Sequence, residues 1–284
     1  MFSLSTWLHL RIPFSFFLMP VYLFALGHSP NFTESRIILS FLIIHLLLYP
    51  ASNGYNSYFD KDEKSIGGLK NPPPVRKGLY YTSLFFDLVA VLIGMKISFL
   101  FAAMLVVYGL VSKAYSHPSI RLKKFAISGW IITGFFQGFF TFLMCYEGIN
   151  AFGFTGFKNP NVLIPGLLTT LMLWANYPMT QVYQHEEDRK RGDKTLSLLL
   201  GVRGTFVFTA LMFGVAVLLF ALYFIYFYKM KYAIVFLLSL SPVLMYFFIW
   251  LAQAFKNEEA VTYGRTMWLN FISAICLNGF FVYF

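Results

Sequence analysis

The sequence predicts an all-α membrane protein with nine transmembrane helices, and three observations carry that prediction. Hydrophobic residues fill 58% of the 284 positions and charged ones only 12%, whereas a soluble domain carries roughly 45–50% apolar and about 25% charged residues. Apolar stretches of about 20 residues recur, each long enough as a helix to cross a hydrocarbon core of roughly 30 Å. Polar residues are confined to short gaps between those stretches, so residues 1–284 are expected to form a single integral membrane domain. Helices are required because they satisfy their own backbone hydrogen bonds in lipid. Together these features exclude a soluble enzyme, a disulfide-rich secreted domain, a disordered chain and a conventional DNA-binding module.

The first span is expected at Ile12–Leu26, with Trp7 and His9 extending it into the interface. Arg11 precedes its apolar run, but no small-residue cleavage site follows, so it reads as an uncleaved helix rather than a signal peptide. Ile37–Tyr58 and Leu79–Ile97 are the second and third spans, the latter carrying Asp87. Phe99–Tyr115, Ala126–Tyr146 and Val162–Tyr183 follow, and the longest polar gaps come after spans two, four and six. Thr205–Tyr228, Ala233–Ala254 and Thr266–Phe284 complete the nine. The two cysteines, Cys145 and Cys276, lie within apolar stretches without a CxxC partner, which suits packing rather than a disulfide or a metal.

Nine spans put the termini on opposite sides, and the basic residues say which side is which. Seventeen of the 22 Lys and Arg fall on one side. They are Arg11; Lys61, Lys64, Lys70, Arg76 and Lys77; Lys113, Arg121, Lys123 and Lys124; Arg189, Lys190, Arg191, Lys194 and Arg203; and Lys256 and Arg265. Arg36, Lys96, Lys158, Lys229 and Lys231 fall on the other. The positive-inside rule therefore places the N-terminus in the cytoplasm and the C-terminus outside. Topology thus explains the formal charge of +10 without nucleic acid as a partner. Compact loops and the lack of a targeting extension suggest a bacterial plasma membrane.

Nine of the 12 acidic residues share the cytoplasmic side, although acids contribute little to topology. Most of them sit at two helix ends. Asn56, Asp60 and Glu63 are spaced to share one face of a helix continuing span two. Gln181, Gln184 and Asp188 have the same kind of spacing at the end of span six, and Gly192 is placed to stop that helix. Oxygen ligands gathered on one face suit a hard cation such as Mg²⁺, with phosphates supplying its remaining ligands. A solvated, charged helix end has the same composition. Lys70, Arg76, Lys77, Arg121, Lys123 and Lys124 in the intervening loops are cations suited to phosphate oxygens, and positive-inside topology also calls for them.

On these residues the sequence resembles the UbiA family of intramembrane prenyltransferases over nearly its whole length. The family's Asn-Asp-x-x-Asp-x-x-x-Asp motif corresponds to Asn56, Ser57, Asp60 and Lys64, so two acids are replaced. Its Asp-x-x-x-Asp-x-x-x-Gly motif corresponds to Gln184, Asp188 and Gly192, with the first acid replaced. Tyr115-Ser116-His117-Pro118, followed by Arg121 and Lys123-Lys124, is similar to the family's Tyr-x-x-Pro-x-x-Lys/Arg loop. Asp193-Lys194-Thr195-Leu196-Ser197 through Gly201 and Arg203 is similar to the segment after the second motif, and Lys70-Asn71-Pro72 to the one after the first.

The resemblance implies a UbiA-like bundle that uses Mg²⁺ and a polyprenyl diphosphate to prenylate a lipophilic, usually aromatic, acceptor within the membrane. It implies catalytic roles for Asn56, Asp60 and Asp188. Metal ligation would fall to Asn56, Asp60, Glu63, Gln184 and Asp188, and diphosphate binding to Lys70, Arg121, Lys123, Lys124 and Arg189. The replaced acids keep two other readings open, a divergent member that binds without catalysing and a small-molecule transporter. Asp87 and His45 are ionisable groups within spans and so functional candidates. No cation partner for Asp87 is evident in its own helix, and Gln137 and Asn176 are candidate acceptor contacts or interhelical hydrogen bonders.

Overall fold

The structure is a computed structural model describing residues 3–284. Thirteen α-helices, α1 to α13, account for most of these residues, joined in places by short 3₁₀ or π turns. Among the described residues, eight helices are long and apolar enough to cross a membrane, and a bent N-terminal pair supplies the ninth span.

That first span differs from the expected single helix at Ile12–Leu26. It consists of α1 (Leu4–Leu10), a 3₁₀ turn at Ile12–Phe17 and α2 (Met19–Gly27), with a bend of 43°. Proline explains the break. Pro13 and Pro20 each sit at the start of a helical segment, where the missing N–H is tolerated, and neither can continue a helix arriving from before it. Arg11, between α1 and the turn, takes the left-handed conformation.

The second span runs from Glu34 to Asp60 as α3 (Glu34–Leu42), a π turn at Ile43–Leu48 and α4 (Tyr49–Asp60). Pro50 cannot donate to the Leu46 carbonyl and its ring crowds that group, so the preceding turn widens. Helix α4 stops at Lys61, whose φ of 49° is left-handed. The next helices are α5 (Lys77–Gly94) and α6 (Phe99–Ser116), and the latter ends where His117 precedes Pro118 and turns extended. The fifth span joins α7 (Ala126–Phe135) to α8 (Thr141–Asn150) through a π turn at Phe136–Phe140. Beyond it lie α9 (Pro160–Gln181), α10 (His185–Arg191), α11 (Leu196–Phe227), α12 (Met230–Lys256) and α13 (Tyr263–Tyr283).

Two compact units divide the chain. The first comprises Met1–Lys123 and Thr141–Leu163, the second Lys124–Phe140 and Ile164–Phe284. Within the first, α4, α5 and α6 pack together, while α2 and α3 pack on α8. Buried Glu147 on α8 accepts hydrogen bonds from Ser98 Oγ at 2.6 Å and the Gly153 amide at 2.9 Å, closing the end of this unit where α6 begins.

Within the second unit α12 packs between α11 and α13, and Phe220, Phe224, Phe236 and Phe280 pack with ring centroids about 5 Å apart. Irregular backbone here is repaired by side chains. Pro178 leaves the Trp174 carbonyl without its helical donor, and Trp130 Nε1 donates to it at 2.9 Å. Pro242 does the same to Leu238, whose carbonyl accepts from Ser241 Oγ at 2.8 Å. The Phe139 amide in the π turn donates to Thr170 Oγ1 at 2.8 Å. Such repairs are what allow proline and π turns within lipid.

Candidate functional site

In the first unit, Asn56 and Asp60 stand one turn apart on α4. Asn56 Nδ2 donates to Ser116 Oγ at 2.8 Å, and Ser52 and Ser112 are bonded at 2.5 Å one turn earlier, so α6 fixes the rotation of α4. The Asp60 carboxylate is only 5% exposed and forms an ion pair with Lys123. Arg121 Nη2 lies 3.5 Å from its other oxygen, Oδ1, which is buried and accepts no hydrogen bond. Arg121 itself adopts a left-handed φ of 46°. A buried carboxylate is tolerable only with such compensation.

Not every residue of the first cluster joins this arrangement. Because α4 ends at Asp60, Glu63 lies beyond the helix in an exposed loop and does not share a face with Asn56 and Asp60. Ser57, at an acid position of the family motif, is buried and its hydroxyl has no partner. Lys70 is exposed, as are Lys124 and Arg189 of the second unit, and none pairs with Asp60 or Asp188 among the described residues.

The second cluster also departs from the expected continuous helix. Helix α9 ends at Gln181, three residues after Pro178; a turn follows, and Gln184 is the N-cap of the separate helix α10. Gln181, Gln184 and Asp188 therefore do not lie along one helix. Gly192, with φ of 72°, ends α10 as its glycine chemistry requires. Asp188 is buried, and its Oδ1 accepts from Arg191 Nη2 at 2.8 Å while Oδ2 accepts from Thr195 Oγ1 at 3.0 Å. Arg191 Nε also donates at 3.3 Å to Asp193, which is 1% exposed. Sequence reasoning missed Asp193; its signal was an acid placed directly after the helix-stopping Gly192 and two residues before a Thr N-cap. His185, at the start of α10, is buried and bonded to Ser197 Oγ at 2.8 Å. Burial and the neighbouring Arg189 charge lower its imidazole pKa to about 4.

Asp87 does have a cation partner, on the next helix rather than its own. Lys113 of α6 pairs with it and lies 5.2 Å from the centre of the Tyr55 ring. His45 occupies the π turn, stacked on Phe41 at 4.2 Å, with Nδ1 against the Phe41 carbonyl. Gln137 and Asn176 are half-buried.

Mg²⁺ typically takes one or two protein carboxylates and completes its shell with water and substrate phosphates. Asp60, with one buried oxygen that accepts no hydrogen bond, and Asp188 have the chemistry it requires. Among the described residues no three His, Cys, Asp or Glu side chains gather at one point, so phosphates would have to complete the coordination.

The family model for UbiA prenyltransferases matches residues 15–274. The chain belongs to the UbiA prenyltransferase family. Solved structures of the family share its fold. A UbiA homologue from Aeropyrum pernix K1, without ligand, superposes with a TM-score of 0.71 at 17% identity, covering 96% of this chain and 98% of that one. A UbiA homologue from Archaeoglobus fulgidus bound to GPP and Mg²⁺ gives 0.67 at 17% identity over 98% of each chain. A digeranylgeranylglyceryl phosphate synthase gives 0.61 at 21% identity over 98% of this chain and 97% of that one. No curated protein sequence matches the chain.

Proposed function

We propose that this UbiA-family protein is a Mg²⁺-dependent prenyltransferase that moves a polyprenyl group from a prenyl diphosphate to a lipophilic, aromatic acceptor within the membrane. The observation that carries the reading is the pairing of buried Asp60 with Lys123 and Arg121 at the end of α4. An acid for a metal and two cations for phosphate are thereby held within one unit, and a UbiA homologue of the same fold binds GPP and Mg²⁺.

In this reading Asn56 and Asp60 are oxygen donors for a cation in the first unit, as Gln184 and Asp188 are in the second, and a bound cation would neutralise charge on the departing diphosphate. Lys123 and Arg121 exchange Asp60 for phosphate oxygens, and exposed Lys70, Lys124 and Arg189 add positive charge. The allylic C–O bond breaks with its electron pair leaving on the diphosphate. The acceptor ring then forms the new C–C bond and loses a proton. Preorganised positive charge around the leaving group lowers the barrier to that first cleavage. We further propose that residues 1–284 act as one catalytic domain in a bacterial plasma membrane, with the N-terminus cytoplasmic and the C-terminus external.

Purified protein in lipid nanodiscs, given Mg²⁺, labelled prenyl diphosphates of graded length and membrane extract, should release diphosphate and form a prenylated lipid. Asp60→Asn or Asp188→Asn should abolish both. The reading fails if wild type releases no diphosphate. Ser57, Lys64 and Gln184 at acid positions favour a second reading, a binding protein without turnover, which the same assay detects as diphosphate bound but never cleaved.

A further inference from the structure

Helix α10 has only seven residues, too few to hold its own orientation, so its attachments decide where Asp188 points. Two attachments reach the same stretch of chain. Thr195 Oγ1, the N-cap of α11, donates to Asp188 Oδ2 at 3.0 Å. Two residues later, Ser197 Oγ meets His185 Nε2 at 2.8 Å, one turn before Asp188 on α10. Ser197 is fully buried and bonded in turn to Thr205 Oγ1 at 3.0 Å, which donates at 2.7 Å to the carbonyl of Gly201.

Gly201 marks a break in α11. Its φ of 69° and ψ of 179° lie in a region essentially open to glycine alone, and they break α11 after its first turns. Residues 196–200 thus form a short segment set off from the rest of α11. A chain of hydrogen bonds runs from that break, through Thr205 and Ser197, to His185. Glycine adopts that conformation without steric cost, and the segment it sets off is the one that holds the second acidic motif.

We propose that His185 is a positioning residue for Asp188, acting through Ser197 and the Gly201 break, and that it sets the carboxylate for the divalent cation and diphosphate. The inference rests on the transferase reading for its purpose but not for its geometry. His185 acts through Ser197 and keeps α10 from swinging away from the segment that carries Thr195.

Three variants and one background test it. His185→Leu keeps the volume and removes the bond, Ser197→Ala removes it from the other side, and His185→Gln can still reach Ser197. In prenyl transfer, His185→Leu and Ser197→Ala should lower kcat/KM by about 30-fold, the scale of a misplaced catalytic group. His185→Gln should stay within about 3-fold. In an Asp188→Asn background, His185→Leu should change Mn²⁺ affinity in the presence of inorganic diphosphate by less than about 2-fold, because coupled residues are non-additive. An equal loss in both backgrounds overturns the proposal, as does a Gln variant as impaired as Leu. Hydrogen exchange separates this from failure of the transferase reading. The Asp188 and Asp193 amides, bonded to the Gln184 and Asp188 carbonyls at 2.9 Å, should exchange at least about 10-fold faster in His185→Leu and Ser197→Ala. Unchanged exchange overturns the proposal even if the wild type transfers no prenyl group, and faster exchange sustains it.

Discussion

The two acidic motifs hold their key carboxylates in opposite ways. Asp60 is compensated from far along the chain, by Lys123 and Arg121 some sixty residues away, and both partners are full charges. Asp188 is compensated from within seven residues, by Arg191 one turn on and the Thr195 hydroxyl at the next helix start. The first arrangement is an ion-pair cluster assembled by the tertiary fold. The second is a folded local network in which Arg191 also binds Asp193, and Ser197, two residues beyond Thr195, binds His185. One motif depends on tertiary contacts and the other on local ones.

The largest expected effect follows from the long-range side. Lys123→Met leaves Asp60 buried with only Arg121 at 3.5 Å. Removing one partner of a buried ion pair should destabilise the protein on the order of 3 kcal/mol, read as a lowered midpoint of thermal unfolding in detergent. Prenyl transfer should fall by about 100-fold, as when a transition-state charge partner is removed. Adding Asp60→Asn should restore most of the stability and none of the activity. If Lys123→Met unfolds at the wild-type temperature, the cations are not compensating Asp60 and the contrast between the motifs collapses.

The local side should lose less to a single change. Thr195→Val removes one hydrogen bond to Asp188 and the α11 N-cap, while Arg191 remains. A bond to a charged group and a cap together suggest a loss of about 2 kcal/mol. It should be confined to residues 185–200 and be measured there by hydrogen exchange. Spread of that loss into α12 or α13 would show the second motif to be as tertiary as the first.

The difference also explains what the sequence made legible. Spans could be read because lipid demands long apolar helices, and eight of the nine came within a few residues of their observed ends, apart from the extra turns at the start of α11. The first span failed because Pro13 and Pro20 break a pattern whose hydropathy is continuous. Gly192 was readable as a helix stop, since its chemistry is local. The break between Gln181 and His185 was missed because the polar run looks helical by spacing. The partners of Asp60 and Asp87 could not be read at all. Lys123 and Lys113 meet them across helices, and periodicity along one chain segment contains no term for that.

Acid should loosen the second motif selectively. The His185 imidazole, with its pKa lowered from 6.5 to about 4, stays neutral in the folded segment. The unfolded segment binds the proton more readily between those values. Stability contributed by neutral His185 is therefore complete above pH 6.5 and is lost as pH falls toward 4. Amides of residues 185–195, corrected for intrinsic rates, should exchange faster through that window, and in His185→Gln the acceleration should vanish. A wild type showing none would mean that the imidazole is already solvated.

The smallest effect is expected from a charged pair on the same short helix. Lys190 faces Glu186 at 3.1 Å, and both side chains are about 60% exposed. The hydrogen bond and charge of Glu186 raise the Lys190 pKa, yet the pair remains in water, where gained attraction is offset by side-chain entropy and screening. Lys190→Ala should leave the unfolding midpoint and prenyl transfer at wild-type values, at low salt as well as high. Lys190 and Arg191 are neighbours of equal charge in one sequence run, so composition cannot tell them apart. Burial of Asp188 and Asp193 makes Arg191 part of the network and leaves Lys190 on its surface. A Lys190→Ala variant as damaged as Arg191→Ala would mean that α10 works through its net charge rather than through the geometry at Asp188.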